Sequence, residues 1–360
     1  IVTDLLEDEE GILWIATDDG GLTRYDYRAS PEKQFKQYKN MPGDKRSIPV
    51  NIVNSLIQDN KGDIWLGTSG ASVIRFNKKT GGFDIPMPAG PRVALDLCID
   101  KHGMIWAGRQ GGGIIKVNPA DLSYTYDKRY DQLYANLPHM VVTSLFTDRD
   151  KNIWYGSWDK VLYSYDQHSN VESVFQESKM PGSFTNDEII SFAEDAQGRL
   201  WVGGKTTGLQ LMDKKTKVFY NYRHNPLQEG SLADNTINCI FIDKEGEAWL
   251  GTNKGISICK PAQQKFSQVF LLPTPGYSHP VTVYDFFRDA NKDLWIGTSE
   301  GFFIQKNGSK EVQHKPLTYK GTKLAVTKFY LDQSGAFYIG TNYSLFVYDK
   351  TNGSIHLLLN

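Results

Sequence analysis

Residues 62–68 read GDIWLGT, a tryptophan set between apolar and small residues, and the phrase returns along the whole chain. It recurs as GILWIAT, GMIWAGR, NIWYGS, GRLWVGG, GEAWLGT, DLWIGT and GAFYIGT. Aligned on the aromatic residue, the copies centre on Trp14, Trp65, Trp106, Trp154, Trp201, Trp249, Trp295 and Tyr338. Six residues earlier each copy has an aspartate: Asp8, Asp59, Asp100, Asp148, Asp195, Asp243, Asp289 and Asp332. Two residues after the aromatic comes a glycine, with Ala16 the one substitute.

Each part of the phrase has a mechanical reading. A glycine stands three residues past six of the aspartates, and Asp-x-x-Gly is hairpin chemistry. The carboxylate takes nearby backbone N–H groups, while glycine takes the left-handed position. Lys151 and Lys292 fill that place in the other two copies, and a different turn is expected there. An apolar strand precedes each aspartate, the aromatic strand follows the turn, and third and weaker fourth strands such as SVIRFN and VFYNY complete the unit. Four short antiparallel strands thus recur every 41 to 51 residues. Sheets apolar on both faces bury themselves only against one another, and the closed solution is a β-propeller. The expected fold is all-β, a single β-propeller domain over 1–360, with eight blades favoured and seven the alternative. The aromatic slot should fill the gap between blades, and the glycine should let a neighbour approach.

Composition excludes several function classes. Forty basic and 41 acidic residues leave a formal charge of −1, so no one-sign field points to nucleic acid. There is no run of 18 apolar residues and no leader-like start, and the strand-like opening IVTDLLED reads as a piece of a longer protein. Cys98, Cys239 and Cys259 are odd in number and lack C-x-x-C spacing, so they read as buried thiols rather than metal ligands or a disulfide framework. No G-x-S-x-G elbow, P-loop, H-E-x-x-H or EF-hand loop occurs, and the glycine cluster QGGGI opens no helix. No catalytic residue, metal or cofactor is assigned.

Function is expected at the sheet edge opposite the Asp-x-x-Gly turns, where long and varied loops collect. Arg109 replaces the threonine that five copies carry there, and reads either as a carboxylate or sugar ligand or as a loop salt bridge. Trp158 is the one tryptophan outside the repeat slot, suited to stacking on a sugar ring or anchoring a partner. Tyr134, Tyr277, Tyr343 and Arg92 are further candidates. His139 and His279 each precede a first strand, and read as ordinary loop histidines or as a pair across a channel mouth. Asp4, Ser55, Asp96, Ser144, Ser191 and Asp285 recur four residues before the repeat aspartate, which points to bonds between blades or to channel water.

The phrase D-x-x-G-x-[LI]-W-[IL]-G-T, followed by G-[LI]-x-x-[YF]-[DN] and by SLADNTINCIFID at 231–243, resembles the two-component regulator propeller repeat. The resemblance covers the whole chain. It implies a fragment of the periplasmic or extracytoplasmic sensor region of a hybrid two-component system or membrane histidine kinase. It implies an oligosaccharide or other small ligand, neighbouring sensor domains of the same chain and a homodimer as partners, with the membrane reached only through the parent chain. A propeller lyase or hydrolase with its site at the channel mouth is the alternative, and a purely structural dimerisation platform is a third reading.

Overall fold

The computed structural model describes residues 1–44, 46–87, 93–126, 141–228, 230–260, 265–269, 271, 281–309, 311–332, 335–349 and 353–359. Each Asp-x-x-Gly turn joins a first strand to the second strand carrying the tryptophan, and eight four-stranded antiparallel sheets result. Every sheet runs in the order first, second, third, fourth. The fold class is an eight-bladed β-propeller, and the blade count falls at eight rather than seven. Among the described residues the helical content is one 3-10 turn, Pro31–Lys33.

The chain divides into two compact units, one of Ile1–Asp159, Tyr163–Ser173 and Asp332–Ala336, the other of Lys160–Leu162, Val174–Leu331 and Phe337–Asn360. Blades 1–4 fall mostly in the first, with first strands Val2–Glu7, Val53–Gln58, Val93–Ile99 and Val142–Thr147. Blades 5–8 fall mostly in the second, with first strands Ile189–Glu194, Ile237–Ile242, Val283–Arg288 and Val326–Leu331. Inside each unit the first strands of successive blades lie side by side.

The constant six-residue spacing has a specific cause. The indole N–H donates to the repeat aspartate in all seven tryptophan copies, at 2.7 Å for Trp14–Asp8, 2.8 Å for Trp65–Asp59 and 3.4 Å for the longest, Trp249–Asp243. The other carboxylate oxygen caps the turn, as where Asp59 accepts from the N–H groups of Lys61 (2.9 Å) and Asp63 (3.1 Å). One buried carboxylate therefore closes the hairpin and satisfies the one polar atom of a buried indole. Where Tyr338 replaces tryptophan, Asp332 still accepts from Ala336 N–H at 2.8 Å. The Lys151 and Lys292 turns do not differ: both residues take a left-handed φ of 65° and make the same backbone bond to Asp148 and Asp289. The carboxylate cap and ladder hold the geometry, and lysine carries the strain that glycine would avoid.

The aromatic slot fills the inter-blade gap as expected. Trp14 packs with Val53, Leu56 and Leu66 of blade 2, and Trp65 with Ala94, Leu97 and Ala107 of blade 3. Trp201, Trp249 and Trp295 make the same step into blades 6, 7 and 8. The glycine two residues on is forced by close approach. A Cβ at Gly251 would meet Cys239 Sγ at 2.5 Å and Val283 Cγ1 at 2.9 Å, and one at Gly108 would meet Val142 Cγ1 at 2.7 Å. Cys98 and Cys259 are buried and Cys239 half-buried, and burial pushes the Cys259 thiol up to about 11, which makes it a poor nucleophile.

All eight first strands bulge near their start, with a register shift across one residue such as that between Val2 and Asp4. A bulge re-aims side chains. Here it turns the recurrent polar positions onto the next blade. Asp4 accepts from Leu56 N–H, Asp96 from Leu145 N–H and Asp285 from Phe329 N–H, each at 2.8 Å. Ser191 donates to Ile237 O at 2.8 Å, and bulged Asn54 donates to Ala94 O at 2.7 Å. At Asp4, Asp96, Ser191 and Asp285 the recurrence is inter-blade bonding.

Candidate functional site

Strand alternation places the Asp-x-x-Gly turns and the third-to-fourth turns at one edge of each blade. The second-to-third loops and the long loops leading into the next blade fall at the other. Three of these lead-in loops share a clasp that sequence reading missed. After blade 1, Asn51 Oδ1 accepts Asn40 N–H (2.8 Å) and Ser47 Oγ accepts Met41 N–H (3.0 Å), while Ile48 is buried in the core between blades 1 and 2. After blade 5, Asn235 Oδ1 accepts His224 N–H (2.7 Å), Ser231 Oγ accepts Asn225 N–H (3.1 Å), and Leu232 is buried. The loop before blade 5 repeats this with Asn186 on Glu177 N–H (2.7 Å) and buried Phe184. The signal was in the sequence as Ser-apolar followed by Asn in SIPVN, SFTN and SLADN.

These clasps pin the feet of loops whose tips face solvent: Met41 is 60% exposed, and Met180 and Leu227 are 74% and 95% exposed. Asp187, buried beside the second of these loops, accepts from Thr206 and Thr207 through backbone and hydroxyl donors at 2.7–2.9 Å. Its acceptor capacity is filled by the second-to-third loop of blade 5, so it acts as a structural tie between the two loops.

Trp158 lies just after the second strand of blade 4, Ile153–Ser157; it is 49% exposed, with its backbone N–H donated to Val141 O at 2.9 Å. Tyr343 is 61% exposed in the second-to-third loop of blade 8, and its ring centre lies 6.3 Å from that of Tyr319. Tyr319 belongs to an added two-stranded hairpin, Thr318–Tyr319 with Thr322–Lys323. These two positions expose aromatic side chains in separate blades.

Arg109 is placed differently from a rim ligand. It is 1% exposed, donates from Nη2 to Gly112 O at 2.6 Å, and lies 5.1 Å from the Tyr126 ring centre. Gly111, Gly112 and Gly113 all have positive φ, and a Cβ at Gly112 would stand 2.6 Å from Arg109 Nη2. The QGGGI cluster wraps a guanidinium. Arg92, Tyr134, His139, Tyr277 and His279 lie outside the described residues.

With this geometry in hand, comparison with known proteins is informative. The two-component regulator propeller profile matches residues 1–19, 47–70, 136–159, 183–206 and 231–254. Five of the eight copies of the repeat thus match this profile. Four of the matched segments end just beyond a Trp-x-Gly strand, and 47–70 and 231–254 begin at the clasp serines Ser47 and Ser231. Histidine kinase P4 of Formosa agariphila is 24% identical over 110 residues, which is 30% of this chain and 8% of that kinase. The extracellular domain of the hybrid two-component system BT3049 from B. thetaiotaomicron aligns at 20% identity and a TM-score of 0.42, covering 99% of this chain and 58% of that one. The computationally designed Ika8 protein superposes with a TM-score of 0.63 at 12% identity, over 100% of this chain and 96% of its own. That likeness concerns the fold alone. The chain thus spans little more than half of the first of these extracellular domains and matches a small part of the kinase.

Proposed function

We propose that the chain is a non-catalytic, ligand-sensing module of a two-component signalling protein, held in the periplasm or otherwise outside the cytoplasm and feeding a histidine kinase in its parent chain. The observation that carries this reading is the five-segment match to the regulator propeller repeat. The bonding of the acids supports its non-catalytic part: the repeat aspartates cap turns and hold indoles, and Asp4, Asp96 and Asp285 tie neighbouring blades.

On this reading the ligand, an oligosaccharide or a neighbouring sensor domain, is met at the loop edge. Trp158 and Tyr343 supply aromatic faces there, and clasped loops convert a contact into a change of packing rather than a local loop movement. Calorimetric titration with a panel of glycan fragments tests it, alongside W158A and Y343A. Binding that weakens about tenfold in either variant supports the reading. Silence across the panel, together with no binding to the neighbouring domain of the parent chain, rejects it.

A further inference from the structure

We propose that the cavity between blades 1 and 2, at the turn edge of the first unit, is a binding site for a small ring-bearing carboxylate. The cavity measures about 360 Å³ and is lined by the aromatic side chains of Trp14, Tyr38 and Phe76 and by the cations Arg24, Lys36 and Lys78, with Asp8 and Glu10 as its acids. Two of the cations are engaged. Lys78 bridges Asp8 at 2.7 Å and Glu10 at 3.3 Å, and Arg24 pairs with Asp26 at 3.1 Å. Lys36 is exposed on the fourth strand, Phe35–Tyr38, and among the described residues no carboxylate lies within ion-pair distance of it. Its ammonium stands 5.0 Å from the Tyr38 ring centre, and that ring is stacked on Trp14 at 6.3 Å.

The repeat supplies an internal comparison. Between blades 6 and 7 the equivalent cavity has about 370 Å³ and is lined by Trp249, Arg288, Lys292 and Lys306. There every lining cation faces a carboxylate: Arg288 with Asp243 at 2.9 Å, Lys306 with Asp293 at 2.7 Å and Lys292 with Glu245 at 3.8 Å. The cavity is thus internally neutralised in one unit, where Ser267 stands at the fourth-strand register that Lys36 holds in blade 1, and in the other it carries a lysine without a carboxylate beside a half-buried aromatic ring. A charge-assisted bond to Lys36 and ring contact with Tyr38 together fit a carboxylate carried on a flat or saturated ring. This site is independent of the loop edge and of the sensor reading.

Calorimetric titration of the chain with benzoate and with galacturonate tests the assignment and separates an aromatic from a sugar acid as the source of the carboxylate. Wild type should bind at least one probe, with a Kd that rises with salt. Lys36→Gln should weaken binding about tenfold, Lys36→Arg should restore it, and Lys306→Gln in the other cavity should leave it unchanged. Circular dichroism checks that the variants fold, and the salt dependence of wild type stands even if one does not. No binding of either probe to wild type, equal binding by Lys36→Gln, or an equal loss in Lys306→Gln would overturn the proposal.

Discussion

Replacing Asp59 tests whether the carboxylate–indole bond is what fixes the repeat. Asp59 is 5% exposed and Trp65 fully buried, and the carboxylate receives Lys61 N–H at 2.9 Å, Asp63 N–H at 3.1 Å and the Trp65 indole N–H at 2.8 Å. Asp59→Ala orphans three donors, two of them in buried surroundings. At about 1–3 kcal/mol for each of the two buried donors, the loss should be about 2–6 kcal/mol. Asp59→Asn keeps an oxygen for the backbone pair but sets an amide NH2 against the indole N–H, and should cost about 1–3 kcal/mol. Trp65→Phe removes the indole donor, so the Asn substitution should cost markedly less on top of it. A double-mutant cycle from urea denaturation, followed by fluorescence and circular dichroism, should give a coupling of about 1–2 kcal/mol. If Asp59→Asn costs the same with and without Trp65→Phe, the reasoning fails.

Three further outcomes follow from the same geometry. Gly203→Ala puts a methyl 2.1 Å from Ser191 Oγ and 2.9 Å from Ile237 Cγ2; thermal unfolding should show a loss of about 1–3 kcal/mol, and an unchanged midpoint would contradict the close-approach account. Lys151→Gly and Lys292→Gly relieve a left-handed φ of 65° and should each stabilise by about 0.5–1 kcal/mol once the entropy of glycine is subtracted. Burial works against ionisation of Asp293, but the bonds from Lys306 and from Asn307 N–H outweigh it and hold the carboxyl below its usual value. Because the unfolded chain then binds the proton first, this contribution is complete above the ordinary carboxyl range near pH ~4 and is lost as pH falls through the lower folded value. Asp293→Asn should therefore flatten the acid limb of a melting-temperature profile below about pH 5, and an unaltered limb would remove Asp293 from the account.

Much of the fold was legible because repetition inside one chain acts as its own alignment. The invariant spacing from Asp59 to Trp65 and from Asp243 to Trp249 already demanded a common bond, although its donor, the indole N–H, became visible only with the side chains in place. The recurrent Asp4, Asp96 and Asp285 suggested inter-blade contacts, and the bulges show why that position reaches the next blade. The loop edge was less legible. Arg109 differed from the five threonines and so drew attention, yet the departure marks a guanidinium enclosed by three glycines with left-handed φ. The Ser and Asn clasps escaped notice because each bond joins residues 6 to 11 positions apart in loops of unequal length, such as Met41 to Ser47 and His224 to Asn235.

Local chemistry is written residue by residue, so the order of residues alone determined the strands, the capped turns and the slot that the tryptophans fill, while the choice of eight blades over seven came with the structure. Which cations find a counter-charge across a blade gap depends on groups brought together from 40 or more positions apart, as Lys78 is to Asp8 and Arg288 to Asp243. Such pairings exist only once neighbouring blades have packed, because the Coulomb and desolvation terms that set them are functions of distance and burial in space.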